Sequence, residues 1–131
     1  MTDEEFRILY DEAFALKRAK RYAEARDSLR RLVLVRPDYA PVHGVLGGVL
    51  FELDEFDDAA EEFGIATRLS PRSELASLGL FHALNELGRK DAALAEMVRF
   101  TSVRDSAEYD LLRAEMEEKR DVTSHGEQKP Q

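Results

Sequence analysis

Apolar residues along this chain recur at helical spacing. In the first segment Phe6, Leu9, Ala13 and Leu16 form one stripe, and Tyr10 with Phe14, four residues apart, form a second beside it. Nowhere is the period-two alternation of a half-buried strand sustained, no Asn-Gly or Asp-Gly turn joins β-branched runs, and Ala, Leu, Glu and Arg dominate. The pattern predicts an all-α chain with helices near 3–18, 22–35, 40–53, 56–69, 73–87 and 89–102, then a seventh. Thr2 and Glu5 have the spacing of a capping box that opens the first helix. Pro37 and Pro71 end the second and fourth, because a proline cannot continue the hydrogen-bond ladder.

The pattern also repeats. LKRAKRYAEARDSLRRLVLVRP and LFELDEFDDAAEEFGIATRLSP align at an offset of 34 residues. That offset carries Ala13 to Gly47, Leu16 to Leu50, Tyr22 to Phe56, Ala25 to Ala59, Leu29 to Phe63, Leu32 to Ala66 and Pro37 to Pro71. A third, more degenerate copy places Leu84, Lys90, Ala93, Met97 and Phe100 at the equivalent points, with Phe81 at the small position and Asp105 in place of the closing proline. Ala25, Ala59 and Ala93 are small where the two helices of a pair must approach closely. One helix pair cannot bury its own apolar face, and about three stacked pairs are needed for stability.

These features resemble the tetratricopeptide repeat family, whose 34-residue helix-turn-helix unit has small residues at its eighth and twentieth positions and proline at its thirty-second. The resemblance covers about residues 6–105. It departs from the pattern at the fourth position, where the family's tryptophan is replaced by Leu9, His43 and Ser77. The expected architecture is an α-solenoid in a single domain over residues 1–120, with repeats at about 6–39, 40–73 and 74–105 and a capping helix at 106–119. Asp105 and Glu108 have capping-box spacing at its start, and Leu111, Leu112 and Met116 are expected to cover the open end of the third repeat. Residues 121–131 are polar and read as a disordered tail.

Composition narrows the chemistry. At 131 residues the chain is long enough to bury a core without staples, and with no cysteine it has neither disulfides nor thiolate metal ligands. A net charge of −8 disfavours nucleic acid, whose backbone is bound by Lys and Arg. The acidic N-terminus does not read as a secretory signal, and no apolar run approaches the about 18 residues of a membrane span, so a soluble, cytoplasmic protein without a membrane partner is expected. No HExxH, phosphate loop, GxSxG or supported Ser/His/Asp grouping occurs among residues that include only three histidines, so neither catalysis nor a cofactor is expected.

The densest charge is ELDEFDDAAEE, with seven carboxylates between Glu52 and Glu62. It lacks the alternating ligands and the glycine of a calcium loop, so no metal is expected there. It falls in a turn and the first turn of a helix, where carboxylates are favoured by about 0.3–1 kcal/mol each. The matching turn of the first repeat carries Lys17, Arg18, Lys20 and Arg21, which are expected to lie beside it.

The apolar surface points elsewhere. The resemblance implies that the first helix of each repeat lines a concave face where peptides or helices bind. The second stripe of the first helix, Tyr10 and Phe14, becomes Gly44 and Gly48 in the next repeat and Leu78 and His82 in the third. Interior glycines cost about 1 kcal/mol each relative to alanine, and the small eighth position accounts only for Gly47. The candidate site is therefore a notch at Gly44, Val45 and Gly48, flanked by Tyr10 and Phe14 on one side and by Leu78 and His82 on the other, with Phe51 below and Asn85 adjoining. Either a partner enters this notch or the protein's own side chains fill it. Family members that clamp acidic chaperone tails use Lys and Asn in the first repeat, Asn in the next, and Lys and Arg in the third. Here those places hold Tyr10, Phe14, Val45, Leu75 and Gly79, so the resemblance implies a ligand with apolar anchors instead. The expected function is a non-catalytic adaptor or chaperone-like module binding another protein. The alternative is a structural subunit whose groove or third repeat pairs with a second copy.

Overall fold

The computed structural model describes residues 1–127, with side chains through Val122. Its helices are α1 (Asp3–Arg18), α2 (Tyr22–Val35), α3 (Ala40–Glu52), α4 (Phe56–Leu69), α5 (Glu74–Glu86), α6 (Lys90–Val103) and α7 (Ala107–Glu127). Each of the first five packs on its successor, and α3 also touches both α1 and α5, so α1, α3 and α5 share one side of the stack. None is long and apolar enough to cross a membrane, among the described residues.

The small positions do what the repeat asked of them. Ala25, Ala59 and Ala93 are completely buried, and Ala13, Leu29, Leu32, Leu46, Leu50 and Phe63 form the main core around the first two pairs. A second cluster forms around Tyr109, which packs on Phe81 and Phe100 at centroid distances of 5.6 and 5.7 Å.

The turns inside the three pairs are copies of one another. Lys20, Asp54 and Gly88 take left-handed φ values of 61°, 59° and 76°. The next amide, of Arg21, Glu55 and Arg89, donates to the carbonyl of Leu16, Leu50 and Leu84 at 2.9 Å in every case. The left-handed residue itself donates to Lys17, Phe51 or Asn85, completing a Schellman cap. Only Gly88 advertises this conformation in its side chain.

The C-terminal helix differs from expectation in two ways. Its cap is Ser106, whose Oγ accepts from the Tyr109 amide at 3.1 Å, one residue later than the Asp105 start. Tyr109 and Leu112 close the end of the third pair, whereas Leu111 (61 % exposed) and Met116 face outward. The helix also continues past Lys119 to Glu127, through residues expected to be tail, because Arg113–Arg120 is rich in strong helix formers and no proline lies between Pro71 and Pro130. Residues 128–131, the rest of that tail, lie outside the described residues.

An L residue in the left-handed region costs about 1–2 kcal/mol, partly offset by the greater freedom glycine has when unfolded. Lys20→Gly should therefore raise unfolding stability by about 0.5–1 kcal/mol, and Gly88→Ala should lower it by a similar amount, both measured by urea denaturation.

Candidate functional site

The acidic run is a paired ridge. Glu55 bonds Arg26 at 2.8 Å, Asp58 lies 3.4 Å from Arg30 and Asp57 lies 3.5 Å from Arg89. Its basic partners thus sit on α2 and at the start of α6 and are not the turn residues expected beside it, of which Arg21 bonds Glu24 instead. The physical cause is the helix pitch, which carries Arg26 and Arg30 on one face of α2 toward the α3–α4 turn. Among the described residues no group of three or more His, Asp or Glu side chains is positioned to hold a metal.

Two further carboxylates tie the helices of a pair together. His43 Nε2 donates to the Pro37 carbonyl at 2.7 Å, and Nδ1 is hydrogen-bonded to the Glu62 carboxyl group at 2.6 Å, so both nitrogens of this buried ring are partnered. One repeat on, Ser77 Oγ donates to Glu96 at 2.6 Å, Tyr109 donates to Ser77 at 2.7 Å, and Arg99 holds Glu96 with two nitrogens. Arg99 also caps the Pro71 carbonyl at 2.9 Å. Burial pushes the Tyr109 hydroxyl up to about 12, which keeps it a donor. These buried pairs occupy the interhelical space at the fourth repeat position.

On the side shared by α1, α3 and α5 a groove of about 600 Å³ is open to solvent. Tyr10, Phe14 and Lys17 of α1 form one wall. Ala40, Pro41, Gly44, Val45 and Gly48 of α3 form the floor, Leu75 and Ala76 of α5 the other wall, and Phe63 and Ala66 of α4 show between them. A Cβ built at Gly44 would meet nothing within 4 Å, and one at Gly48 would meet only the Lys17 ammonium at 3.8 Å. The notch is therefore open rather than filled from within. Burial raises the Tyr10 hydroxyl, with Tyr39 and Asp11 adding to it, so this wall is a neutral phenol.

Five of the nine residues singled out in the sequence, Tyr10, Phe14, Gly44, Val45 and Gly48, come together in this groove. The other four do not line it. Phe51 turns toward the α3–α4 turn and packs edge-on against Phe56 at 5.1 Å. Leu78 packs into the Tyr109 cluster. His82 is exposed with its ring edge-on to Phe81 at 5.4 Å, and Asn85 is exposed, its carbonyl capping α5. The reason is the rotation between pairs: α5 approaches α3 through its first turns, with Ala76 and Gly79 toward Phe63, which carries the later positions away. Leu75, 84 % exposed, is the wall residue that register alone missed, although an apolar side chain where clamp proteins hold lysine was a signal for it.

No family model matches the chain, and no curated protein does. Solved structures match over nearly its whole length. The first repeat domain of Spaghetti (RPAP3), bound to the HSP90 peptide SRMEEVD, superposes with a TM-score of 0.79 and 15 % identity over 90 % of this chain and 94 % of that one. The Yersinia enterocolitica type III secretion translocator chaperone SycD, in an alternative dimer, gives 0.75 and 12 % over 98 % of both chains. A MamA mutant gives 0.72 and 21 % over 80 % of this chain and 76 % of its own.

The chain has the tetratricopeptide-repeat fold. In tetratricopeptide-repeat register, the buried His43–Glu62 and Ser77–Glu96 pairs stand where the motif has tryptophan, which accounts for its absence in the second and third repeats. Leu9, at the same position of the first repeat, is exposed.

The glycines separate by environment. Gly44→Ala should stabilise the fold by about 1 kcal/mol, the helix-propensity difference at an unobstructed site. Gly79→Ala should destabilise it by about 1–3 kcal/mol, because the new methyl overlaps the Phe63 ring. Urea denaturation of the two variants side by side checks both signs.

Proposed function

We propose that this chain is a non-catalytic adaptor or chaperone-like module that takes a peptide segment with apolar anchors into the groove between α1, α3 and α5. The observation that carries the reading is the floor at Gly44, where a helix-destabilising residue leaves space that no side chain among the described residues fills. Pockets of several hundred cubic ångströms lined mainly by apolar groups are where ligands lose most of their hydration, and this groove of about 600 Å³ is of that kind. Tyr10 and Phe14 serve as rigid aromatic contacts, a residue class that dominates binding energy at interfaces. Support from outside the chain is the peptide held by the Spaghetti domain, which has the same fold. The clamp that would read an acidic tail is replaced here by Tyr10, Phe14, Val45, Leu75 and Gly79, so the anchors are apolar.

The test is selection of displayed random peptides on the wild-type protein, followed by titration of the winners. Phe14→Ala should weaken their binding by about 1–3 kcal/mol. Gly48→Leu should abolish it while circular dichroism stays unchanged, since the leucine projects into open groove. Undiminished binding to a folded Gly48→Leu variant would overturn the assignment.

A further inference from the structure

We infer that the groove reads an extended segment in which a bulky apolar side chain and a carboxylate stand two residues apart, the apolar group over Gly44 and the carboxylate on the Lys17 ammonium. The inference rests on the groove being a peptide site and adds which peptide it takes. Lys17 is the sole charged residue among those lining the groove. Arg21, Arg26, Arg30, Arg36, Arg89 and Arg99 have carboxylate partners. Exposed cations such as Arg7, Arg31 and Lys90 do not, so it is the place of Lys17 in the groove, not the lack of a partner alone, that singles it out. Lys17 has no carboxylate partner among the described residues. Its ammonium lies instead 5.4 Å from the centre of the Phe14 ring, with the Arg18 guanidinium also 5.4 Å from that ring. A positive group held at an apolar floor with no internal counter-ion favours a ligand that brings one, through a charge-assisted hydrogen bond.

The spacing follows from helix and strand geometry. Gly44 and Gly48 are one turn apart, about 6 Å along α3, and the Lys17 nitrogen stands beside the Gly48 Cβ position at 3.8 Å while the space over Gly44 is empty. In an extended chain, side chains on one face recur every second residue, about 6.6 Å apart. A helix also repeats at about 6 Å, every four residues, so an optimum at a spacing of four would mark a helical ligand and an optimum at two the extended segment proposed.

The glycine amides are direct reporters. Acetylated, amidated octapeptides of Ser and Thr carrying one Phe, with Glu or Gln placed one, two or four residues before or after it, are titrated into the ¹⁵N-labelled protein, and Gly44 and Gly48 shifts are followed. A Glu two residues from the Phe should tighten binding at least fivefold over Gln at the same place and over Glu at the other spacings. Lys17→Gln should erase that advantage, so that the Glu and Gln peptides bind the variant alike. Equal affinities for Glu and Gln peptides with Gly44 and Gly48 still shifting would overturn this inference and leave the groove standing. So would an advantage that survives Lys17→Gln, or a best spacing of one or four. If no peptide shifts either glycine, the groove assignment falls, and this inference with it.

Discussion

The Phe63 ring is the contact on which the rest of the molecule depends. It projects from α4 between two helices that have removed their side chains to receive it: a Cβ at Gly47 of α3 would lie 2.9 Å from the ring, and one at Gly79 of α5 would overlap it. One buried aromatic ring thus sets how closely α3 and α5 approach α4. Because the ring is shared by consecutive pairs, it also fixes their relative rotation, which decides which turn of α5 faces α3. The wall made by Leu75 and Ala76 follows from that rotation.

Around this contact the same local devices recur every 34 residues. Each pair is turned by a left-handed residue and a Schellman cap, and the second and third pairs are cross-tied by a carboxyl group, the half-buried Glu62 or the buried Glu96. A buried charge needs hydrogen bonds to be tolerated, and Glu96 receives them from Ser77 of α5 and from Arg99 of its own helix. With helix pairs stiffened in this way, the concave side can leave Gly44 and Gly48 bare. The fold is held by the back and the turns.

Much of this was legible in the chain because the repeat period is a property of spacing. The fixed offset fixed the first six helices to within a residue and sorted Gly47, a packing glycine, from Gly44 and Gly48. What depends on three-dimensional rotation was not legible: Leu78 and His82 occupy the register of groove positions but are swung away, and Leu75 is swung in. Lys20 and Asp54 hid the turn conformation that Gly88 displayed. The His43–Glu62 pair was hidden too, because a polar residue at a motif position normally filled by tryptophan reads as a loss until its partner is seen. The extent of α7 was not legible either, because its last turns are as polar as a tail while their residues favour helix.

The central claim is that the floor over Gly44 is open space in the folded protein. The chain has no cysteine, so Gly44→Cys introduces a single thiol at that point. Its rate of reaction with a bulky aromatic disulfide reagent, in buffer and in denaturing urea, measures access directly, since thiol reactivity follows exposure. An open floor predicts a folded-state rate within about tenfold of the unfolded one. Protection of about a hundredfold or more, lost only on global unfolding, would mean that the protein fills its own groove and would contradict the account.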